Sequence, residues 1–133
     1  MIVVDSSAIV AVTNAEPEAE RIARLIVNAG DVSISAATFV ETAIVIRGQH
    51  GSQGVRRLHE MMEDMALRTH PFDARQADLA IEAYRRFGRG SGSPARLNFG
   101  DCFSYALARS LGAPLLFKGD DFVHTDIEPA LPA

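Results

Sequence analysis

Asp5, Glu41, Asp101 and the adjacent pair Asp120 and Asp121 are the residues whose types and placement could do chemistry. Carboxylates brought together repel one another unless a cation neutralises them. A carboxylate set made only of oxygen donors selects Mg2+ or Mn2+ over softer metals. The four histidines, His50, His59, His70 and His124, are scattered, and the single Cys102 adds no zinc-type spacing. Hard divalent cations on carboxylates suit phosphodiester hydrolysis. They orient water, lower its pKa and stabilise charge on the phosphate oxygens.

Each acid also has an ordinary reading. Asp5 follows the apolar run Ile2-Val3-Val4 and can cap a helix. Asp101, three residues after Asn98, can close a capping box and suits the positive end of a helix. Asp120 and Asp121 suit a turn. Glu41 is harder to explain in this way. It interrupts the apolar stretch Ala36 to Ile46, and its helical neighbours Ala37, Thr38, Ile44 and Val45 carry no cation. Buried carboxylates are rare unless paired or bound to metal, so Glu41 points to function.

The elements that must position these groups read as follows. Ile2 to Val4 is a buried strand, followed by a short helix over Ala8 to Val12. A helix from Pro17 to about Asn28 carries the stripe Ile22, Leu25 and Ile26. Val32 to Ser35 is a second strand. A helix from Ala36 to Arg47 ends at Gly48, and another runs from Ser52 to Arg68 with Leu58, Met61, Met62 and Met65 inward. Arg68 to His70 reads as a short strand. Asp73 caps a helix over Ala74 to Phe87 with Ala77, Ala80, Ile81 and Tyr84 inward. A loop from Gly88 to Arg96 leads to a helix from Phe99 to Leu111, stopped by Gly112. Leu115 to Phe117 is the last clear strand, and Asp126-Ile127 a small edge strand. Strands alternating with helices imply a mainly parallel sheet covered on both faces. Sites in such sheets lie beyond the carboxyl ends of the strands, where Asp5 and the Asp120-Asp121 pair fall.

The 133 residues suit a single domain over 1–133. At 47% hydrophobic and 23% charged the chain can build a core. No apolar run approaches the ~20 residues of a membrane span, and the N-terminus has no signal-peptide pattern. With one cysteine no internal disulfide forms. A soluble, cytoplasmic protein that contacts no membrane is expected. The net charge of −4 argues against binding nucleic acid through bulk positive charge. It leaves room for a nuclease whose acids are offset by bound cations. Lys118 is the only lysine among 13 basic residues. Arginine suits bidentate phosphate contact, although a G- and C-rich genome gives the same bias.

The segments Val3-Val4-Asp5-Ser6-Ser7-Ala8, Phe39-Val40-Glu41-Thr42-Ala43, Leu97-Asn98-Phe99-Gly100-Asp101-Cys102-Phe103-Ser104 and Leu115-Leu116-Phe117-Lys118-Gly119-Asp120-Asp121-Phe122 resemble the PIN domain. They resemble more closely the VapC-type toxins of toxin–antitoxin pairs, over nearly the whole chain. The resemblance implies a three-layer α/β/α domain and a Mg2+-dependent endoribonuclease, with Mn2+ as an alternative ion. It implies Asp5, Glu41 and Asp101 as the acidic triad. Asp5 and Asp101 would be the principal metal ligands, and Glu41 would ligate metal or orient water. It leans to Asp121 over Asp120 as the fourth acid, since Asp121 directly precedes Phe122. Ser6 (or Ser7), Asn98 and Ser104 match supporting polar positions. The implied partners are RNA, a VapB-like antitoxin and a second copy of the chain. The apolar excess of the helices at Ala36–Ile46 and Leu58–Met65 suits such partner surfaces or, equally, the core.

Arg85, Arg86, Arg89 and Arg96 bracket the loop before Asp101 and could meet RNA phosphates or simply be solvated. A phosphoacceptor domain would need a second acid beside Asp5, where Ser6 and Ser7 stand. An aspartyl phosphatase would need an acid two residues on, where Ser7 stands. A catalytically silent PIN-like module and a PIN nuclease for routine RNA processing are the other readings.

Overall fold

The computed structural model describes residues 1–132. Four strands, β1 (Ile2–Val4), β2 (Val32–Ser35), β3 (Arg68–His70) and β4 (Leu115–Leu116), form one parallel sheet in the order β3-β2-β1-β4. Helices α1 (Ser6–Thr13), α2 (Ala19–Ala29), α3 (Ala36–Asp64), α4 (Ala74–Phe87) and α5 (Phe99–Leu111) supply the connections. The result is the expected three-layer α/β/α arrangement.

The layers follow from the two-residue period of the strands. Val3 and Leu115 point to one face and pack with Leu97, Tyr105, Leu107 and Phe122. Ile2, Val4 and Leu116 point to the other and pack with Ile9, Ile22, Ile26, Ile46 and Leu58. The chain passes from β1 to β2 on one side and returns to β4 on the other. That reversal beside β1 opens a crevice at the strands' carboxyl ends, the usual place for a site in an open parallel sheet.

Four details differ from the sequence reading. Helix α3 does not end at Gly48. It continues to a break at Gly51, where φ is 69° and ψ −164°, and ends at Asp64, before Arg68. Gly51 lies in the left-handed region that favours glycine, so the hinge falls there. On α4, Ile81 and Tyr84 face outward, while Gln76, Ala80 and Ala83 face the core. The small alanines allow α4 to lie close on α5, which leaves no room for the larger side chains. Asp126-Ile127 forms no strand. The edge pairing is an isolated bridge from Leu115 to Pro129, and the Ile127 N–H is taken by Thr125 Oγ1 at 3.2 Å instead of a neighbouring strand. The β4 strand also stops at Leu116, before Phe117. Among the described residues no helix is long and apolar enough to cross a membrane.

Candidate active site

Asp5 emerges from β1 with its backbone N–H still bonded to Leu116 C=O at 2.9 Å, so the end of β4 sets its position. Its side chain caps α1, as its type and place suggested. Ser7 N–H donates to Oδ2 at 3.1 Å and Ser7 Oγ to the same oxygen at 2.7 Å. Ser104, one turn into α5 from Asp101, donates to Oδ1 at 2.5 Å. The Asp5 residue is 3% exposed, and both of its carboxylate oxygens accept hydrogen bonds. Ser7 is fixed in turn by Lys118 N–H at 3.0 Å. Lys118 Nζ reaches Glu16 and, at 3.0 Å, Glu18. Ser7, rather than Ser6, is therefore the serine on Asp5.

Asp101 forms the capping box with Asn98. It accepts from Asn98 N–H at 3.0 Å, while Asn98 Oδ1 accepts from Asp101 N–H at 2.8 Å. The ordinary reading of this pair thus holds, and it leaves the second carboxylate oxygen for other partners. Burial pushes the Asp101 carboxyl up to about 7. The Asn98 bond works against that rise, and the charges of Asp5, Asp121 and Glu41 add to it. Asp101 therefore feels all three other acids of the expected set.

Glu41 is half-buried rather than enclosed. Its helix is apolar, as read from sequence, yet Val40 and Ile44 beside it are exposed. Burial raises the proton affinity of the Glu41 carboxyl, Ser6 moderates the rise, and the charge of Asp5 adds to it. The carboxylate lies directly over Gly100. A methyl group built on Gly100 would overlap Glu41 Oε2 and stand 2.6 Å from its Cδ. Gly100 thus provides the seat for Glu41. Its place one residue before Asp101 carried no sequence signal that would separate it from a helix-opening glycine.

The donor set suits a hard divalent cation in kind, since it offers carboxylate oxygens only. It is not gathered into a closed ligand cage. Among the described residues, no three His, Cys, Asp or Glu side chains stand together as a metal-holding group. Asp101 is partly turned to its cap, and Asp121 stands on an exposed turn.

Beside Asp121 a cavity of about 260 Å³ is lined by Arg89, Pro94, Ala95, Arg96, Asp120, Asp121 and His124. The loop carrying both arginines is closed at its base. Arg89 N–H bonds Leu97 C=O at 3.1 Å, and Leu97 N–H bonds Phe87 C=O at 2.8 Å. Arg96 has a positive φ of 54° between the buried residues Ala95 and Leu97. The four-arginine cluster splits. Arg85 pairs with Glu82 and Arg86 with Asp126, whereas Arg89 and Arg96 make no ion pair among the described residues. The scattered histidines likewise divide. His70 bonds Ser33 and His50 bonds Asn14, whereas His124 reaches this cavity. The fold alone brings His124 there, so no spacing could have marked it. Cys102 is buried and donates to Asn98 C=O at 3.4 Å, with its thiol pushed up to about 11 by burial. It is an inert packing residue.

The sequence pattern of the PIN domain matches residues 2–128. The chain is 43% identical over 128 residues to Ribonuclease VapC42 of Mycobacterium tuberculosis, a match that covers 96% of this chain and 98% of that protein. It is 47% identical over 126 residues to Ribonuclease VapC30 of the same species, with 94% and 95% covered. Among solved structures, that of Mycobacterium tuberculosis VapC20, described as a Sarcin-Ricin loop cleaving toxin, superposes with a TM-score of 0.76 at 21% identity, covering 96% of each chain.

Proposed function

The chain belongs to the PIN-domain family, and from that premise we propose that it is a metal-dependent endoribonuclease acting as the toxin of a toxin–antitoxin pair. The observation that carries this reading is the similarity to VapC ribonucleases over nearly the whole chain, and it is supported by the buried Asp5 and Asp101 with Glu41 seated on Gly100 next to Asp101.

In this reading Asp5 and Asp101 would hold a Mg2+ or Mn2+ ion, with Glu41 on α3 and Asp121 on the turn after β4 as further acids. The ion, when bound, polarises the scissile phosphate and acidifies a water. The chain's own residues do the rest. Ser7 and Ser104 keep Asp5 from turning. Glu41, with its raised proton affinity, orients the attacking water and takes its proton at a carboxylate oxygen. Arg89 and Arg96, beside Asp121 and outside the ion pairs that hold Arg85 and Arg86, meet RNA phosphates. The exposed side chains of Val40, Ile44 and Val45, next to Glu41, are the surface for an antitoxin segment that blocks the site. The exposed patch of Ile81, Tyr84 and Phe99 offers the face for a second copy.

The test is incubation of the purified chain with total cellular RNA, with and without Mg2+ or Mn2+, beside Asp5→Asn and Asp101→Asn. Discrete metal-dependent products that disappear in both variants are expected. Absence of cleavage, or equal cleavage by the variants, would put a non-catalytic binding module in place of the nuclease.

A further inference from the structure

Behind Asp5 lies a second hydroxyl that neither the acids nor their immediate partners account for. Thr38, on the first turn of α3, is fully buried. Its Oγ1 stands 3.2 Å from Ser104 Oγ, and Ser104 Oγ stands 2.5 Å from Asp5 Oδ1. All three groups are enclosed, so the direction of the bonds can be worked out. An ionised carboxylate has no proton to give, so Ser104 must donate to Asp5. A serine hydroxyl has one proton, so Ser104 can then only accept from Thr38. Thr38 is therefore the donor. The chain of bonds runs from α3 through α5 to the end of β1. Its last link, from Ser104 to Asp5, joins residues 99 apart in sequence.

Two other features fix Thr38 in this role. Its own carbonyl accepts Thr42 Oγ1 at 2.7 Å, which ties the turn below it. Its β-branched side chain also has few rotamers to choose from in a helix. A Ser104 with no donor behind it could instead turn its proton to a carbonyl of its own helix. Asp5 would then lose the hydrogen bond that holds Oδ1 and keep the two on Oδ2.

We propose that Thr38 is a positioning residue for the nuclease site, acting through Ser104 to hold the Asp5 carboxylate in its ligating orientation. The inference rests on the reading of Asp5 as a metal ligand. Outer partners of metal-holding carboxylates commonly change affinity or activity by ~10–100-fold when removed.

The experiment measures Mn2+ affinity by calorimetry and initial rates on total RNA, for the wild type, Thr38→Val, Thr38→Ser, Ser104→Ala and the Thr38→Val, Ser104→Ala double variant. Thermal unfolding is followed on each. Thr38→Val keeps the shape and removes the donor. It should weaken Mn2+ binding and slow cleavage by ~10-fold, and Thr38→Ser should recover most of both. On the Ser104→Ala background Thr38→Val should add nothing, since the link is already cut. Should the valine chain fail to fold, Thr38→Ala removes the same donor without added bulk and carries the same comparison. A Thr38→Val protein that binds Mn2+ and cleaves like the wild type overturns the inference alone. So do additive losses in the double variant, or a Thr38→Ser protein as impaired as Thr38→Val. A wild-type chain that neither binds Mn2+ nor cleaves RNA removes the metal-site reading itself, and the inference with it.

Discussion

On the β1 side of the crevice, Asp5 is enclosed and takes three hydrogen bonds from Ser7 and Ser104, with Thr38 and the Lys118 backbone behind them. On the β4 side, Asp120 and Asp121 are exposed, and the turn that carries them is tied by Val123 N–H to Asp120 C=O at 3.3 Å and Thr125 N–H to Phe122 C=O at 3.1 Å. Phe122, packed on Phe117, anchors that turn to the core. The inner wall is a fixed frame for charge that water screens poorly. The outer wall is a solvated rim with arginines next to acids. On the proposed reading the chemistry belongs to the inner wall, where preorganised groups act strongly. The same reading gives contact with RNA to the rim.

This contrast can be broken most sharply at Gly100. Alanine there should push the Glu41 carboxylate off its seat while leaving the helix intact, because the overlap falls on the far end of a flexible side chain. Cleavage should fall by ~10–100-fold, as for other displaced groups around metal ligands. Thermal stability should hold or rise slightly, since alanine favours helix over glycine. Rates and unfolding curves of Gly100→Ala decide it. A variant that is destabilised in proportion to its fall in activity would show Gly100 to be a packing residue only.

A smaller effect is expected at the rim. The double replacement Arg89→Ala, Arg96→Ala, tested on an Asp101→Asn background that does not cut, should weaken RNA binding. It should also flatten the salt dependence, by ~0.7 in log–log slope for each single-strand phosphate that the protein no longer neutralises. Titrations across salt concentration check this. An unchanged slope would leave the rim without a role in binding.

The smallest effect is on stability. The Asp101 carboxyl is pushed up to about 7 from an ordinary 3.8. The native state therefore holds a proton between those values that the unfolded chain has released. Stability from this group is intact near pH 4, is lost as pH rises toward 7, and stays lost above it. In metal-free buffer, Asp101→Asn should unfold near the wild-type temperature at pH 4 and a few degrees higher at pH 8. A difference that shrinks with rising pH would contradict the assignment. Added Mn2+ should stabilise the wild type at pH 8 more than the variant.

Much of the frame was legible in the sequence, because apolar β-branched runs and caps announce themselves locally. Ile2 to Val4, the Asn98–Asp101 box and the Gly112 stop are all where their types require. Asp5 and the Asp120-Asp121 pair stood out by following strands, Glu41 by interrupting an apolar helix and Asp101 by its spacing from Asn98. What sequence could not give depends on packing between distant segments. The two alanines of α4 turned Ile81 and Tyr84 outward, against the apparent stripe. The roles of Gly100, Thr38 and His124 arise only when α3, α5 and the β4 turn meet. The choice of Gly51 over Gly48 as the break in α3 likewise follows from tertiary fit, since both glycines suit a helix end.

Mn2+ titration of the purified wild type, Asp5→Asn, Asp120→Asn and Asp121→Asn, read by calorimetry at pH 8, decides whether Asp5 holds the metal. Binding by the wild type is expected, with none detectable in Asp5→Asn, a modest weakening in Asp121→Asn and no change in Asp120→Asn. Equal binding by the wild type and Asp5→Asn would contradict it, because the inner wall would then hold nothing that the reaction needs.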